Sequence, residues 1–194
     1  MPIGDDRFTS ACKRIDAANA EDPTTVTIRG QDGPKELLHS RLVTEWVDDL
    51  SDEPSEALHL AARGHHFRRW TVPRSSYPTG RAGYLRWRRD LHQRHATELG
   101  EILRDVGYDD ATIERVGVIV RKRDLSDTET QTLEDALCLV FLETQLTDLA
   151  AKLDEDKLRT VLAKTLVKMS PAGRQSIDTL ALDDRARQIL RDAT

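Results

Sequence analysis

The chain has 194 residues, of which 38% are hydrophobic, 5% aromatic and 32% charged, with a formal net charge of −5 at pH 7. This length suits one ordinary domain with a sizeable core, and the near absence of alternating Val, Ile and Thr runs predicts a helical protein. The longest apolar run, 136–142, is far shorter than the ~18 residues of a membrane span, so we expect no membrane contact.

Two further features favour a cytoplasmic protein. The first seven residues are polar and lack the basic-then-apolar order of a signal peptide. Cys12 and Cys138 have no partner motif, which favours a reducing compartment.

Positive charge is concentrated in one stretch of the chain. Nine arginines lie between Arg63 and Arg94, with Asp90 as the only acidic residue among them. Because the rest of the chain is strongly acidic, this asymmetry favours a local site for a small anionic ligand over general nucleic-acid binding.

Apolar spacing and capping signals predict an all-α protein of about seven to nine helices. The predicted helices cover 7–20, 34–50, 55–62, about 82–106, 113–121, 128–146, 157–168 and a terminal stretch ending near Arg191. A loop with a short extended piece is expected over 24–34, and a rigid loop over 72–80. The predicted caps are Ser55, Asp110, the capping box 126–129 and Ser170 before Pro171.

Several histidines have two interpretations each. His39 borders an apolar stripe, where a hydrogen-bonded core histidine is the commoner case. His65 and His66 end a helix, so they suit either metal binding or the capping of carbonyls. His92 and His95 share a helix face, and a surface pair and a site are equally compatible with that spacing.

Asp135 is the strongest single pointer to a site. It lies in the apolar segment 133–142, where an unpaired carboxylate would be costly, so it needs a metal, an arginine or a cap as partner. Helical bundles build metal sites from side chains on facing helices, and neutral imidazoles with a carboxylate suit Mn, Fe, Co, Ni or Zn. Histidine and aspartate side chains on several helices can therefore form a metal site where those helices pack around one point.

The order of these residues resembles the HD-domain superfamily, whose members are mostly metal-dependent phosphohydrolases. The resemblance rests on four segments: 36–43 with His39, 60–66 with the histidine pair, 95–103 with His95, and 135–139 with Asp135. It implies an HD-like helical bundle as a single domain over 1–194, with a core at about 34–150 and C-terminal helices over 154–194. It also implies one divalent metal held by His39, His65 and Asp135, with His66 or His95 as a further ligand.

Nearly the whole chain also resembles domain-of-unknown-function family 4202. The phrases that carry this resemblance are Arg68-Arg69-Trp70, the segment 84–88 and Leu133-Glu134-Asp135. That family implies no established activity.

Three departures from HD enzymes bear on catalysis. His66 stands where the superfamily has an aspartate. Arg68 and Arg69 come next, where nucleotidase relatives place a catalytic acid, and 121–123 is basic where two-metal relatives have a histidine. A dinuclear site is therefore not expected, which leaves a mononuclear site or a metal-free pocket.

The arginines after the histidine pair suit recognition of phosphate or carboxylate, because guanidinium groups bind such anions through paired hydrogen bonds. The predicted anion-binding residues are Arg68, Arg69, Arg74, Trp70 and Tyr77. The alternative, in which the arginines only coat a solvated helix face, applies better to the scattered ones downstream.

These features support three hypotheses about function. The first is hydrolysis of a small phosphorylated metabolite or nucleotide through a metal-activated water. The second is a non-catalytic or regulatory anion-binding protein that keeps the fold, and the third, less favoured, is an iron-dependent oxygenase. A homo-oligomer is compatible with each of them.

Overall fold

The computed structural model describes residues 4–182 and 184–192, and nine α-helices lie in these two ranges. In chain order the first five are α1 (Gly4–Asn19), α2 (Lys35–Leu50), α3 (Glu56–Gly64), α4 (Gly80–Asp105) and α5 (Asp110–Arg121). The remaining four are α6 (Thr128–Lys152), α7 (Glu155–Leu166), α8 (Pro171–Gln175) and α9 (Asp184–Asp192). The predicted all-α class is confirmed.

A short hairpin joins α1 to α2. Strand β1 (Thr25–Ile28) pairs antiparallel with β2 (Gln31–Pro34) through the turn at Arg29 and Gly30, both of which have positive φ. This is the extended piece expected over 24–34. The Asp22 carboxylate accepts a hydrogen bond from the backbone N–H of Glu36 (3.1 Å), so it caps the start of α2 from outside the helix.

Two helix caps differ from the predicted residues by one position. The side chain of Asp109, rather than Asp110, accepts the hydrogen bond from the Thr112 N–H at the start of α5. At α6 the capping side chain is Asp127, rather than Ser126. Adjacent acceptors compete for one cap position, and the sequence alone does not decide which backbone adopts the extended cap conformation.

The central helices pack around a shared apolar core. α2 packs against α3 and α6, and α4 packs along α5. The largest side chains of this core that are completely buried are Ile15, Leu58, Leu60, Leu99, Leu103, Ile119, Leu133, Leu139, Leu142, Leu146, Leu162 and Leu180. None of the helices in the described ranges is long and apolar enough to cross a membrane.

The loop between α3 and α4 contains two turns of 3-10 helix, Arg69–Thr71 and Arg74–Ser76. The Arg74 guanidinium donates to the carbonyls of Tyr77 (2.9 Å) and Pro78 (2.8 Å). These hydrogen bonds tie the loop to itself directly before α4 begins.

Candidate histidine–glutamate site

Four buried or half-buried histidines gather between α2, α3 and α4. His39 lies on α2, His65 and His66 come directly after α3, and His95 lies in the middle of α4. The ring centroids of His65 and His66 are 4.2 Å apart, and those of His66 and His95 are 6.1 Å apart. We call these four residues, together with Glu36, the histidine cluster.

Glu36 supplies the carboxylate of the histidine cluster. It lies one turn before His39 on α2, and its side chain is only 4% exposed. Its Oε2 is 3.3 Å from Nδ1 of His66, and its Oε1 is 3.8 Å from a guanidinium nitrogen of Arg69. A buried carboxylate next to imidazoles therefore exists in this protein, contributed by the first turn of α2.

His65 is held in one tautomer. Its Nδ1 donates to the carbonyl of Ala62 (2.8 Å), because a carbonyl can only accept. Burial, with His66 beside it, lowers the pKa of His65 well below its ordinary value, so the ring is neutral and Nε2 keeps its lone pair. Metal-binding histidines are oriented in this way, by donating their other ring nitrogen to a carbonyl or carboxylate.

The other three rings are also neutral near pH 7. Burial lowers the pKa of His39, and burial together with Arg69, His95 and Lys122 lowers that of His66. Burial lowers the pKa of His95 to about 4. Neutral imidazole is the form that binds metal ions, so no proton would need to leave before binding.

Several buried polar atoms in this region lack a hydrogen-bond partner. In the histidine cluster they are Oε2 of Glu36, Nδ1 of His66 and both ring nitrogens of His95; nearby are Nδ2 of Asn19 and Nε of Arg68. The Phe67 backbone is close enough to raise the pKa of His95 slightly, although neither ring nitrogen makes a hydrogen bond of normal geometry. Since buried polar groups are nearly always paired, these atoms are open to an ordered water, an ion or a ligand.

The arginines after the histidine pair have different environments. Arg69 faces the histidine cluster through Glu36, and its guanidinium lies over the ring of Trp87 at 5.0 Å from the centroid. Arg68 adopts a left-handed backbone (φ 50°), and its N–H donates to Oδ1 of Asn19 (3.1 Å). Of the predicted anion-binding arginines, Arg69 is therefore the one whose charge reaches the cluster carboxylate.

Two of the other predicted anion-binding residues, Arg74 and Tyr77, already have hydrogen-bond partners within the protein. The guanidinium of Arg74 is occupied by the carbonyls of its own loop. Tyr77 donates its hydroxyl to Oδ2 of Asp90 (3.3 Å), which fixes the loop to α4. Trp70 is half-buried in the first 3-10 turn, and the aromatic ring that meets Arg69 is Trp87 instead.

The hydrogen-bond partners of Asp135 are Ser170 and Gln131. Its carboxylate accepts hydrogen bonds from the backbone N–H and hydroxyl of Ser170 and from the side-chain amide of Gln131 (2.9 Å). These contacts attach the start of α8 to α6. The metal-ligand role of Asp135 stays a prediction, and the carboxylate that lies beside the imidazoles is Glu36.

A second charged group is centred on the buried Glu134 of α6. Lys122 Nζ is 2.9 Å from Oε2 of Glu134, and Lys168 Nζ is 3.6 Å from Oε1 of the same carboxylate. His92 is close to this group: burial lowers its pKa to about 4, and the charges of Lys122 and Arg88 act in the same direction.

Sequence reasoning missed Glu36 and Lys122. An acidic residue in the first turn of a helix is ordinarily explained by the helix dipole, so Glu36 gave no separate signal. Its spacing of three residues from His39 was the available sign, because residues i and i+3 share a helix face. Lys122 comes at the end of an apolar helix, where basic residues are common.

Within the described residues, no three His, Cys, Asp or Glu side chains are placed so that they could hold one metal ion. The cluster donors therefore do not converge on one point in this conformation. Metal binding by Glu36, His66 and His95 would require their side chains to rotate towards each other.

The fold and this cluster define an all-helical protein with a buried histidine–glutamate site next to an arginine. The chain belongs to the family described as "Domain of unknown function (DUF4202)", whose family model matches residues 9–190. Comparison with curated proteins and with solved structures gives no match.

Proposed function

We propose that this protein is a metal-dependent phosphohydrolase that acts on a small phosphorylated metabolite or nucleotide. One divalent metal would be held by Glu36, His66 and His95, with His65 and His39 as the nearest further imidazoles. The observation that supports this most directly is the group of buried, unpartnered donor atoms in the histidine cluster. The HD-like fold expected from the sequence belongs to the same proposal, with Glu36 in place of Asp135 as the carboxylate ligand.

The donor set fits such a metal. A carboxylate with neutral imidazoles suits Mn, Fe, Co, Ni or Zn. When bound, the metal would supply a water of lowered pKa and would polarise a phosphoryl oxygen. The free thiols of Cys12 and Cys138 are compatible with the reducing compartment expected for this protein.

The residues of the chain have separate tasks in this proposal. His65 keeps its lone pair available because Ala62 fixes its proton on Nδ1. Arg69 would bind a phosphoryl oxygen through its guanidinium, which Trp87 holds from its face. Asp22 keeps Glu36 in place through the backbone N–H at the start of α2.

A second candidate function is a non-catalytic, anion-binding protein. It is favoured by the lack of converged metal donors among the described residues and by the charge of Arg69 beside the histidine cluster. The two candidates differ in one measurable property, which is the metal content of the protein.

The test is metal content and phosphate release, measured on protein purified without a histidine tag. We expect close to one metal per chain after incubation with Mn, Co, Ni or Zn, and release of phosphate from a panel of phosphomonoesters. Glu36→Gln should weaken metal binding by at least about tenfold, the lower end of the effect of disturbing a metal site. Asp135→Asn, which changes another buried carboxylate to an amide, should keep the wild-type metal content.

Either of two results would refute this proposal. Wild-type protein that binds no metal would leave the anion-binding function. Metal binding that depends on Asp135 and not on Glu36 would assign the ligand set predicted from the sequence instead.

A further inference from the structure

A cleft opens in the C-terminal part of the molecule, where the end of α7 meets α8 and α9. Its volume is about 260 Å³, and none of its described lining residues belongs to the histidine cluster. Clefts that take drug-sized ligands usually measure about 300–1,000 Å³, so this one suits a smaller molecule. We call it the C-terminal cleft; its lining includes Leu166, Arg174, Ile177, Leu182, Arg187 and Leu190.

The apolar part of the lining comes from successive elements of the chain. Leu166 ends α7, Ile177 lies in the 3-10 turn Ser176–Thr179, and Leu190 lies on α9. Ile177 and Leu182 are only half-buried, so part of their apolar surface stays in contact with water. An alkyl or aryl group in the cleft would cover that surface, which is favourable in proportion to the apolar area removed from water.

Two guanidinium groups of the lining are held in place by backbone carbonyls. Arg174 donates through Nε to the carbonyl of Leu166 (2.9 Å). Arg187 donates through Nε to the carbonyl of Leu182 (3.1 Å) and through Nη2 to that of Leu180 (2.8 Å). A carbonyl orients a guanidinium without neutralising its charge. Since a guanidinium has five N–H donors, both arginines keep several donors for an anion.

Positive charge exceeds negative charge in the C-terminal cleft. Arg191 also lines it and donates through Nη2 to the side-chain oxygen of Gln188 (2.8 Å). Asp178, which is exposed, is the acidic residue of the described lining. Three arginines and one aspartate give this lining a formal charge of +2, in a chain whose net charge is −5. The cleft therefore attracts a negatively charged group.

We infer that the C-terminal cleft binds a small amphipathic anion. Its carboxylate or phosphate head group would lie on Arg174 and Arg187, and its alkyl or aryl part would lie against Ile177 and Leu182. Both head groups are oxyanions, which guanidinium groups bind through paired hydrogen bonds. Because the carbonyls already orient both guanidinium groups, little conformational freedom is lost on binding. This site is independent of the proposed metal centre.

The test is isothermal titration calorimetry of the whole chain with octanoate, octyl phosphate and octanol. Both anions should bind, and octanol should bind at least about tenfold more weakly than octanoate because it lacks the charged hydrogen bonds. Hexanoate should bind up to about tenfold more weakly than octanoate, since it buries two fewer methylene groups. The tighter of the two anions identifies the source of the ligand as a carboxylic acid or a phosphate ester.

Two variants should change the affinity for octanoate in opposite directions. Arg174→Gln should weaken binding by about tenfold, because a charged hydrogen bond is lost. Asp178→Asn removes the negative charge of the lining and should tighten binding by about twofold to fivefold, the range of exposed charge interactions. A gain in affinity cannot arise from unfolding. Arg104→Gln is the matched control, because Arg104 pairs with Asp110 (3.6 Å) away from the cleft and its loss should leave the affinity unchanged.

Three results would overturn the inference. Octanol that binds as tightly as octanoate would show an apolar surface without anion recognition. Equal affinities in wild type, Arg174→Gln and Asp178→Asn would remove the assigned head-group site. Loss of octanoate binding in Glu36→Gln would place the anion at the histidine cluster instead, whereas octanoate binding at wild-type affinity in a metal-free protein would support the cleft and reject only the metal centre.

Discussion

The contact between Glu36 and His66 is incompletely satisfied. The two facing atoms are 3.3 Å apart and buried, and neither makes a hydrogen bond of normal geometry. A carboxylate beside a neutral imidazole without such a hydrogen bond costs free energy, since both groups have given up water. The site therefore gains stability from any ligand that binds both atoms.

This contact gives His66→Asp a definite expected result. The variant places a second carboxylate next to Glu36, so without metal the two negative charges repel and one must be protonated. A cost of about 1–2 kcal/mol would lower Tm by roughly 3–6 °C in a protein of this size, measured with a chelator present. Added Mn or Zn should restore Tm. Metal at a free concentration one hundred times its Kd adds up to about 2.7 kcal/mol to the free energy of unfolding.

The comparison that checks this result is Tm of wild type and His66→Asp by differential scanning fluorimetry, with chelator and with metal. His92→Asp is a matched control, because it introduces the same carboxylate on α4 at a half-buried histidine whose pKa Lys122 lowers. Equal metal responses in the two variants would contradict a metal site at Glu36 and His66.

The hydrogen bonds of the buried Asp135 carboxylate give it a structural role. Its two oxygens accept from Ser170 and Gln131, and a Cβ added at Gly173 would lie 2.5 Å from its carboxylate carbon. The turn before α8 is thus fitted closely around this side chain. The carboxylate accepts the backbone N–H of Ser170, while the Ser170 hydroxyl accepts the N–H of Gly173 inside α8.

Asp135→Ala should therefore lower the stability of the chain and leave the histidine cluster intact. The buried N–H of Ser170 and the amide of Gln131 would lose their acceptor, at a cost of about 2–3 kcal/mol in the free energy of unfolding. Urea denaturation measures this cost, and Ser170→Ala in the same background should add little more, since the two residues share one interaction. A fully stable Asp135→Ala with reduced metal content would reverse the assignment.

The sequence predicts that Asp135 needs a partner. The structure shows that one partner is Ser170, which lies 35 residues further along the chain. Ser170 is predicted as a helix cap by its position before Pro171, and it does cap α8. Nothing in the spacing indicates that its N–H also meets Asp135. Contacts between distant residues depend on how α6, α7 and α8 turn back on each other, and local patterns do not contain that information.

At the scale of elements, helix positions could be predicted from the sequence far better than helix caps could. Apolar spacing located α2, α3, α5 and the start of α6, because burying one face is what stabilises a helix in a protein. The expected start of α4 at about Ala82 is two residues late, since the structure begins this helix at Gly80. The helix begins earlier because the Arg74 guanidinium donates hydrogen bonds to the carbonyls of Pro78 and Gly80, which fixes the backbone at this point.

The junction between this loop and α4 depends on Gly83. A Cβ at this position would lie 1.9 Å from the carbonyl oxygen of Pro78, and neither backbone can move without moving the loop. Gly83→Ala should therefore destabilise the protein by more than about 2 kcal/mol, although alanine is the better helix former.

Gly117→Ala is the matched change inside α5. There the nearest atom is Nη1 of Arg121 at 3.0 Å, the far end of a flexible side chain that can shift. Helix propensity should then dominate, so that this variant is as stable as wild type or gains up to about 1 kcal/mol. Thermal melts of the two variants show whether each substitution raises or lowers Tm. A higher Tm for Gly83→Ala would show that Pro78 does not pack against the first turn of α4.

At the scale of the molecule, the helices meet around neutral rings rather than around charged ones. His39, His65, His66, His92 and His95 all have lowered pKa values, with burial as the main cause in each. The net charge of −5 arises from acidic residues outside the arginine-rich stretch. This charge does not offset the free-energy cost of protonating the buried histidines. Folding therefore depends on keeping protons out of this centre.

The sign of the resulting pH dependence is set by linkage between protonation and folding. In the unfolded chain these histidines bind protons near pH 6.5, whereas folded His92 and His95 bind them only near about 4. Between those values the unfolded state holds more protons, so the free energy of unfolding should fall as pH is lowered from about 7 to 5 and stay nearly constant above about 7.5. Each such histidine contributes up to about 1.4 kcal/mol per pH unit within this window.

Urea denaturation at several pH values, in the presence of a chelator, measures this slope directly. His92→Gln should reduce the slope by up to one histidine's contribution, because glutamine does not titrate. His59→Gln is the control variant, because it changes a histidine that is paired with Asp48 and lies outside the cluster. Restricting the range to pH above about 5 keeps most carboxylates ionised, so the histidines dominate the result. A protein whose stability rises on acidification from about pH 7 to 5 would show that these rings gain protons on folding, and the neutral histidine centre would be wrong.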